Sequence, residues 1–304
     1  MLAALVATIW GFNFVVIHWG MSGVPPLLFV AIRFAMVSSL VLVVPRPDVP
    51  WRTLLAVGAF MSLGQFGFLY VAMDAGLPSG LAALVLQAQV PMTILIAAAA
   101  LRERPTGRQI VGVALGAAGL VVVALGRGGH APLGALGLCL LGALSWALGN
   151  TVARAAKVAG GLSLTVWSAL VVPVPALALA LLVDGPGDVA DGFAAFGWRA
   201  VGSTAYTVGM ASLVGYTVFN SLLARHPAAS VVPWVLLAPV VAMTSAWALL
   251  DERPSGGELA GGGLLVVGVL IAMGVFARRR ASAGEFGDRR GEPLDVGTIA
   301  VDRG

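Results

Sequence analysis

Leu101-Arg102-Glu103-Arg104-Pro105-Thr106-Gly107 and Leu250-Asp251-Glu252-Arg253-Pro254-Ser255-Gly256 are two versions of one heptapeptide, set 149 residues apart in a chain of 304. The same offset carries Pro78 onto Pro227, Gly112 onto Gly261 and Gly119 onto Gly268, and Pro91 meets Pro239 with a slip of one residue. A polar corner that recurs in a mostly apolar sequence marks two related halves. Internal repetition of this kind in a membrane protein points to an architecture in which two halves rock about a central site.

Composition places the chain in lipid. Hydrophobic residues make up 59% and charged residues 11%, against about 25% charged in a soluble domain, and the mean hydropathy is +0.96. Apolar runs of about 20 residues, each enough to cross a bilayer core of roughly 30 Å, follow one another almost to the end. The expected spans are 2–20, 27–45, 53–73, 79–101, 107–126, 132–153, 163–183, 200–223, 229–250 and 257–277. The runs are continuous and lack the alternation of barrel strands, so helices are expected.

Basic residues set the orientation. With the N-terminus in the cytoplasm, the inner face collects Arg46, Arg52, Arg102, Arg104, Arg108, Arg154, Lys157, Arg225 and Arg278 to Arg280, and the outer face only Arg127, Arg199 and Arg253. Both termini are therefore expected inside. Five spans per half is an odd number, so the halves would enter the membrane from opposite sides. The expected fold is an all-α membrane protein of ten transmembrane helices built as two inverted five-helix repeats, residues 1–127 and 128–280. Residues 281–304, polar and mixed in charge, are expected as a disordered cytoplasmic tail.

Several classes are excluded. The longest polar stretch between spans, around Asp184 to Asp191, leaves no room for a nucleotide-binding lobe. The glycines of 256–263 read as close helix packing and not as a phosphate loop. The net charge of +4 follows membrane topology, and no basic stripe with interleaved aromatics suggests nucleic acid. Cys139 is alone, which excludes an intramolecular disulfide. Seventeen of the eighteen basic residues are arginine, pointing to a GC-rich bacterial genome and hence a bacterial plasma membrane. The first span begins almost at Met1 without a basic flank; an upstream start and a short N-terminus both fit. A cleaved signal peptide does not.

Polar groups inside spans are costly unless they find partners or water, which makes them candidates for the site. Arg33 stands in span two with no acidic residue deep enough in any span to pair with it. A substrate carboxylate would satisfy it; snorkelling, or bonds to carbonyls at a broken helix, would do so structurally. Asn13 and Asn150 each follow a tryptophan in the first span of their half, and their carboxamides offer donors and acceptors, either to a zwitterion or between helices. Gln87 and Gln89 in span four diverge by about 200° on an α-helix, so only one of them can face a narrow cavity. Pro91 and Pro239 free a carbonyl and permit a kink. Gln65, Trp167 and Tyr216 are further lining candidates, with Ser168, Tyr206, Asn220 and Trp234 behind them; for the aromatics, packing or interface anchoring competes with a cavity role.

Catalytic constellations are missing. His18, His130 and His226 are scattered near span ends, no His-Glu-x-x-His motif or cysteine cluster occurs, and no pair of carboxylates is placed at membrane depth. Neither metal nor cofactor is expected. The residues also show no buried Asp or Glu as a proton carrier, with Asp74 and His18 the nearest titratable groups at the outer ends.

Trp10-Gly11-Phe12-Asn13-Phe14-Val15-Val16, Pro25-Pro26-Leu27, Arg33-Phe34, Gln65-Phe66, Gly80-Leu81-Ala82 through Leu86-Gln87-Ala88-Gln89, Ser145-Trp146 with Gly149-Asn150, Trp167-Ser168-Ala169-Leu170 and both Glu-Arg corners together resemble the EamA-type branch of the drug/metabolite transporter superfamily, over about residues 3 to 278. The span-four and span-seven motifs are most similar to the O-acetylserine/cysteine exporter type. The resemblance implies a carrier that exports small metabolites by alternating access, with amino acids and derivatives such as O-acetylserine and cysteine as cargo. Threonine-like or homoserine-like amino acids, drugs and pigment precursors are the alternative cargoes. A membrane-embedded enzyme and a passive channel are the alternatives outside transport. Proton coupling is implied by the resemblance alone; the residues leave uniport and exchange open, as they do the oligomeric state.

Overall fold

The computed structural model describes residues 1–126, 133–156, 161–226 and 231–275, with Asn220, Leu223, Ala224, Val232 and Pro233 described in their backbone only. The expected tail, Arg127, His130, Lys157, Pro227 and Arg278 to Arg280 lie outside the described residues. Everything described is helix and short connection. The core is apolar, yet large apolar side chains also cover the outside and a charge lies within: Leu182 is 81% exposed while Arg33 is 4% exposed. That is the order a hydrocarbon solvent imposes.

The first half runs α1 (Leu2–Gly20), α2 (Pro26–Ser39), α3 (Trp51–Val57), α4 (Gln65–Asp74), α5 (Ser79–Val85), α6 (Gln89–Ala100) and α7 (Gly107–Gly126). A π-helical segment, Gly58–Gly64, joins α3 to α4, and a 3-10 turn, Leu86–Ala88, joins α5 to α6. The second half runs α8 (Leu133–Ala155), α9 (Leu162–Ala169), α10 (Pro173–Val183), α11 (Gly185–Ala194), α12 (Trp198–Ala205), α13 (Gly215–Arg225), α14 (Leu237–Leu250) and α15 (Gly256–Ala272). A second π segment, Tyr206–Val214, joins α12 to α13, and a 3-10 turn, Val232–Leu236, leads into α14.

Five of these stretches are long and apolar enough to cross a membrane: Leu2–Gly20, Trp51–Asp74, Ser79–Ala100, Gly107–Gly126 and Leu133–Ala155. Pro26–Leu42, Trp234–Leu250 and Gly256–Ala272 are apolar but shorter. The expected span at 163–183 is broken, α9 and α10 meeting at 47°, where Pro173 and Pro175 remove two backbone donors and start a new helix. The stretch after Asp184, expected as a loop, is helical in α11, with Pro186 in its first turn and Asp188 favouring the positive helix end.

Deviations from regular helix recur in the two halves. Each Pro follows a 3-10 turn, Pro91 after Leu86–Ala88 and Pro239 after Val232–Leu236; a prolyl ring clashes with the carbonyl four residues back and tightens the preceding turn. Arg102 and Asp251, second in their heptapeptides, both have φ of 55° and end a helix in the left-handed conformation.

α7 and α15 pack antiparallel through glycines. A Cβ on Gly112 would stand 2.4 Å from the Gly268 carbonyl oxygen, one on Gly119 2.5 Å from that of Gly261, and one on Gly126 2.5 Å from the Gly257 Cα. Shifted by 149, the pair Gly112 and Gly268 becomes Gly261 and Gly119, so the seam maps onto itself. α1 packs on α14, where Gly11 lets the Ala238 carbonyl approach, and α8 packs on α4 and the first π segment.

Candidate functional site: a caged arginine between helices

α2 carries Arg33 into the core because its neighbours are apolar: Phe29, Val30, Phe34 and Val37 are all buried. The facing helix α4 presents Phe66 and Tyr70, one turn apart and so on one side. The guanidinium carbon lies 4.2 Å from the Phe66 ring centroid, 5.3 Å from Phe34 and 5.9 Å from Tyr70. One Nη donates to the Tyr70 hydroxyl at 2.5 Å, and Tyr70 is stacked by Phe29 at 5.8 Å. Face-on contacts of this kind are worth about 0.5–2 kcal/mol each. No carboxylate pairs with Arg33 among the described residues, and its Nε is buried without a partner. The cage replaces both structural expectations, since Arg33 neither snorkels nor bonds a carbonyl.

The second half packs against α1. Tyr216, at the start of α13, meets Trp10 of α1 with ring centroids 5.4 Å apart. Trp10 Nε1 donates to the Ala211 carbonyl at 2.9 Å, the Tyr206 hydroxyl to the Ile9 carbonyl at 3.0 Å, and the Ser203 hydroxyl to the Val16 carbonyl at 2.7 Å. The first and third of these contacts bind α1 to the second π segment and to α12. The first π segment is served likewise from α8, whose Ser145 donates to the Phe60 carbonyl at 2.7 Å.

The expected site residues separate into groups. Asn13 is 7% exposed, one turn along α1 from Trp10, and its Oδ1 is buried without a donor. Gln65, next to Phe66, is 8% exposed with an orphan Oε1. Gln89 also buries an unpartnered Oε1, and Gln87 is 7% exposed; the intervening 3-10 geometry keeps the two pointing apart. Asn150 is part-buried on α8. Trp167 is engaged elsewhere, its Nε1 donating to the Val44 carbonyl at 2.9 Å and its ring meeting Trp51. Of the secondary candidates, Ser168 bonds the Thr165 carbonyl and Trp234 is 47% exposed.

Sequence reasoning missed the cage residues Phe34, Phe66 and Tyr70. Phe66 and Tyr70 at a spacing of four were a visible signal, but nothing local said that their partner lay on α2, 37 residues before Tyr70. The expectation of no buried acid is corrected. Glu258 is 3% exposed, because it forms the capping box of α15: its carboxylate accepts from the Ser255 N–H at 2.6 Å while the Ser255 hydroxyl accepts from the Glu258 N–H at 3.2 Å. The Ser255-x-x-Glu258 pattern was legible as such. Among the described residues no group of His, Cys, Asp and Glu could hold a metal ion.

A helical membrane protein with a buried, unpaired cation between packed helices is the build of a small-molecule carrier. The EamA-like transporter family model matches residues 1–125 and 133–274, and the chain belongs to that family. It is 37% identical over 293 residues to the probable amino-acid metabolite efflux pump of Escherichia coli K12, covering 94% of this chain and 97% of that one. A protein of the same description from Salmonella typhimurium LT2 is 38% identical over 288 residues, 92% and 96% of the two chains. The probable terminal-alkyne amino-acid exporter of Streptantibioticus cattleyicolor is 29% identical over 69% of each chain. A crystal structure 21% identical aligns with a TM-score of 0.60 over 92% of this chain and 97% of its own, a likeness of fold.

Proposed function

We propose that this transporter is a secondary exporter of amino acids and close derivatives, O-acetylserine and cysteine foremost, in a bacterial plasma membrane. The observation that carries the reading is the set of buried polar atoms left without partners around and beyond the cage. Arg33 Nε is a cationic donor, while Asn13 Oδ1, Gln65 Oε1 and Gln89 Oε1 are acceptors. A buried orphan costs about 1–3 kcal/mol, and a zwitterion supplies what each kind lacks: carboxylate oxygens for the guanidinium and ammonium hydrogens for the amide oxygens. Relatives described as amino-acid metabolite efflux pumps and an amino-acid exporter favour the same cargo. Asn150 and Tyr216 complete the proposed lining, while Gln87 turns away from Gln89 and Trp167 is held at the Val44 carbonyl.

The proposed architecture is ten spans in two inverted repeats, 1–127 and 128–280, with both termini cytoplasmic. Its supports are the self-mapping glycine seam, the paired π segments, the paired 3-10 turns and the eleven-to-three distribution of basic residues. Alternating access then has the halves exposing Arg33 to each side in turn. Proteoliposomes loaded with labelled O-acetylserine or cysteine, under an imposed proton gradient, test the reading. Saturable efflux that collapses in Arg33→Ala is the expected result. Full transport by that variant would remove the carboxylate anchor, and no efflux of either compound by folded protein would remove the cargo.

A further inference from the structure

The two heptapeptide corners do different work. Glu103 pairs with Arg154 at 2.9 Å, both side chains about half exposed. Glu252 instead reaches across the molecule to the start of α5: its Oε1 accepts from the Ser79 N–H at 3.0 Å and its Oε2 from the Gly80 N–H at 3.2 Å. These are the first free donors of the continuous helical stretch Ser79–Ala100, which would otherwise lie unpaired at a buried helix start, since Ser79 is wholly buried. The carboxylate thus fastens the α14–α15 corner to the first half. A cavity of about 150 Å³ opens beside it, lined by Gly80, Met243, Ala246, Arg253 and Glu258 together with Glu252 itself, which gives water a route to the carboxylate. The Ser79 hydroxyl oxygen, on the first of the two residues that Glu252 holds, is buried with no partner.

We propose that Glu252 is a proton-binding latch: as a carboxylate it holds the corner shut on the α5 helix start, and on taking a proton it lets go. A carboxylate accepts two N–H bonds at once and is favoured by the helix N-terminus; the neutral acid keeps one good acceptor and gains an O–H that needs one. The orphaned Ser79 hydroxyl, on the residue whose N–H is released, offers that acceptor. The charged groups facing Glu252 are Glu258, held in its capping box, and Arg253, which pairs with exposed Asp251; α5 and α14 bring none to the cavity lining. The inference deepens the exporter reading by naming a coupling site for protons, and it rests on that reading for the latch being at the outer face.

The test places spin labels on Ala75→Cys and Gly256→Cys, either side of the corner, in a Cys139→Ala background. Ala75 is exposed and a side chain on Gly256 meets no atom within 4 Å. Distances are measured in lipid nanodiscs from pH 7 down to about pH 3.5, through the range in which carboxylates take a proton. The expected result is a second, longer distance that grows severalfold in population as pH falls, is present at every pH in Glu252→Gln, and needs lower pH in Ser79→Ala, where the N–H bond survives and the acceptor is gone. One distance, unchanged by pH and by Glu252→Gln, overturns the latch. Reaction of Ala75→Cys with an impermeant thiol reagent only from the cytoplasmic side would overturn the topology instead, and efflux assays of Arg33→Ala judge the cargo separately.

Discussion

Arg33 is at once the feature most legible in the sequence and the least predictable in its surroundings. A lone charge in an apolar run announces itself, because hydrocarbon tolerates it only with compensation. The compensation here is aromatic and long-range, so it had no local signature. Tyr70→Phe removes the hydroxyl that accepts from Arg33 and leaves a cationic donor buried; a loss of about 1.5–3 kcal/mol in unfolding free energy is expected, with a raised KM for efflux as the guanidinium loses its anchor. Arg33→Lys keeps the charge but gives up the planar stacking on Phe66, so efflux should fall well below wild type although the protein still inserts; equal efflux would mean that charge alone matters. Asp184, between α10 and α11, offers a pH test outside the spans. Burial, reinforced by Asp74 and Asp188, holds its carboxyl above the usual range. An acid raised on folding contributes stability only where it is protonated, and that contribution is lost as pH rises from the unfolded value of about 3.9 through the folded one. Asp184→Asn should therefore raise the melting temperature at pH 7, by no more than about 1 kcal/mol equivalent given partial solvation, and change little at pH 4.

At the scale of helices, the sequence declared position and not shape. Five of the expected spans coincide with described helical stretches long and apolar enough to cross a membrane, because apolar runs of bilayer length are a strong signal. The π segments were invisible: Gly58–Gly64 and Tyr206–Val214 contain no proline, and their carbonyls are served by Ser145 and Trp10 from other helices. The proline breaks were readable, and α9–α10 shows what one does when a second proline follows. Pro91→Ala restores an N–H that can bond the Gln87 carbonyl, straightening the Leu86–Ala88 turn and rotating Gln87 against Gln89. Efflux should drop severalfold with stability unchanged or improved, measured as rate in proteoliposomes against melting temperature.

For the whole molecule, the repeat supplied the plan and the glycines the fit. Gly112, Gly119, Gly261 and Gly268, matched by the repeat offset, let α7 and α15 approach closely within the chain. Gly119→Val would place a branched side chain where the Gly261 carbonyl stands 2.5 Å from the Cβ position, and overpacking of that kind costs about 1–3 kcal/mol. Gly263→Val, with nothing within 4 Å of its Cβ, is the control expected to be neutral, and thermal unfolding in detergent separates the two.

A seam that maps onto itself is also the interface two identical half-length chains would share. In such an ancestor every substitution on the helix that became α7 and α15 would strike both sides of the contact together, so selection could never try one side alone. Joining the halves lifts that constraint. Arg102 and Asp251, alike in backbone and opposite in charge, stand at matching corners as residues such a paired ancestor could not have told apart.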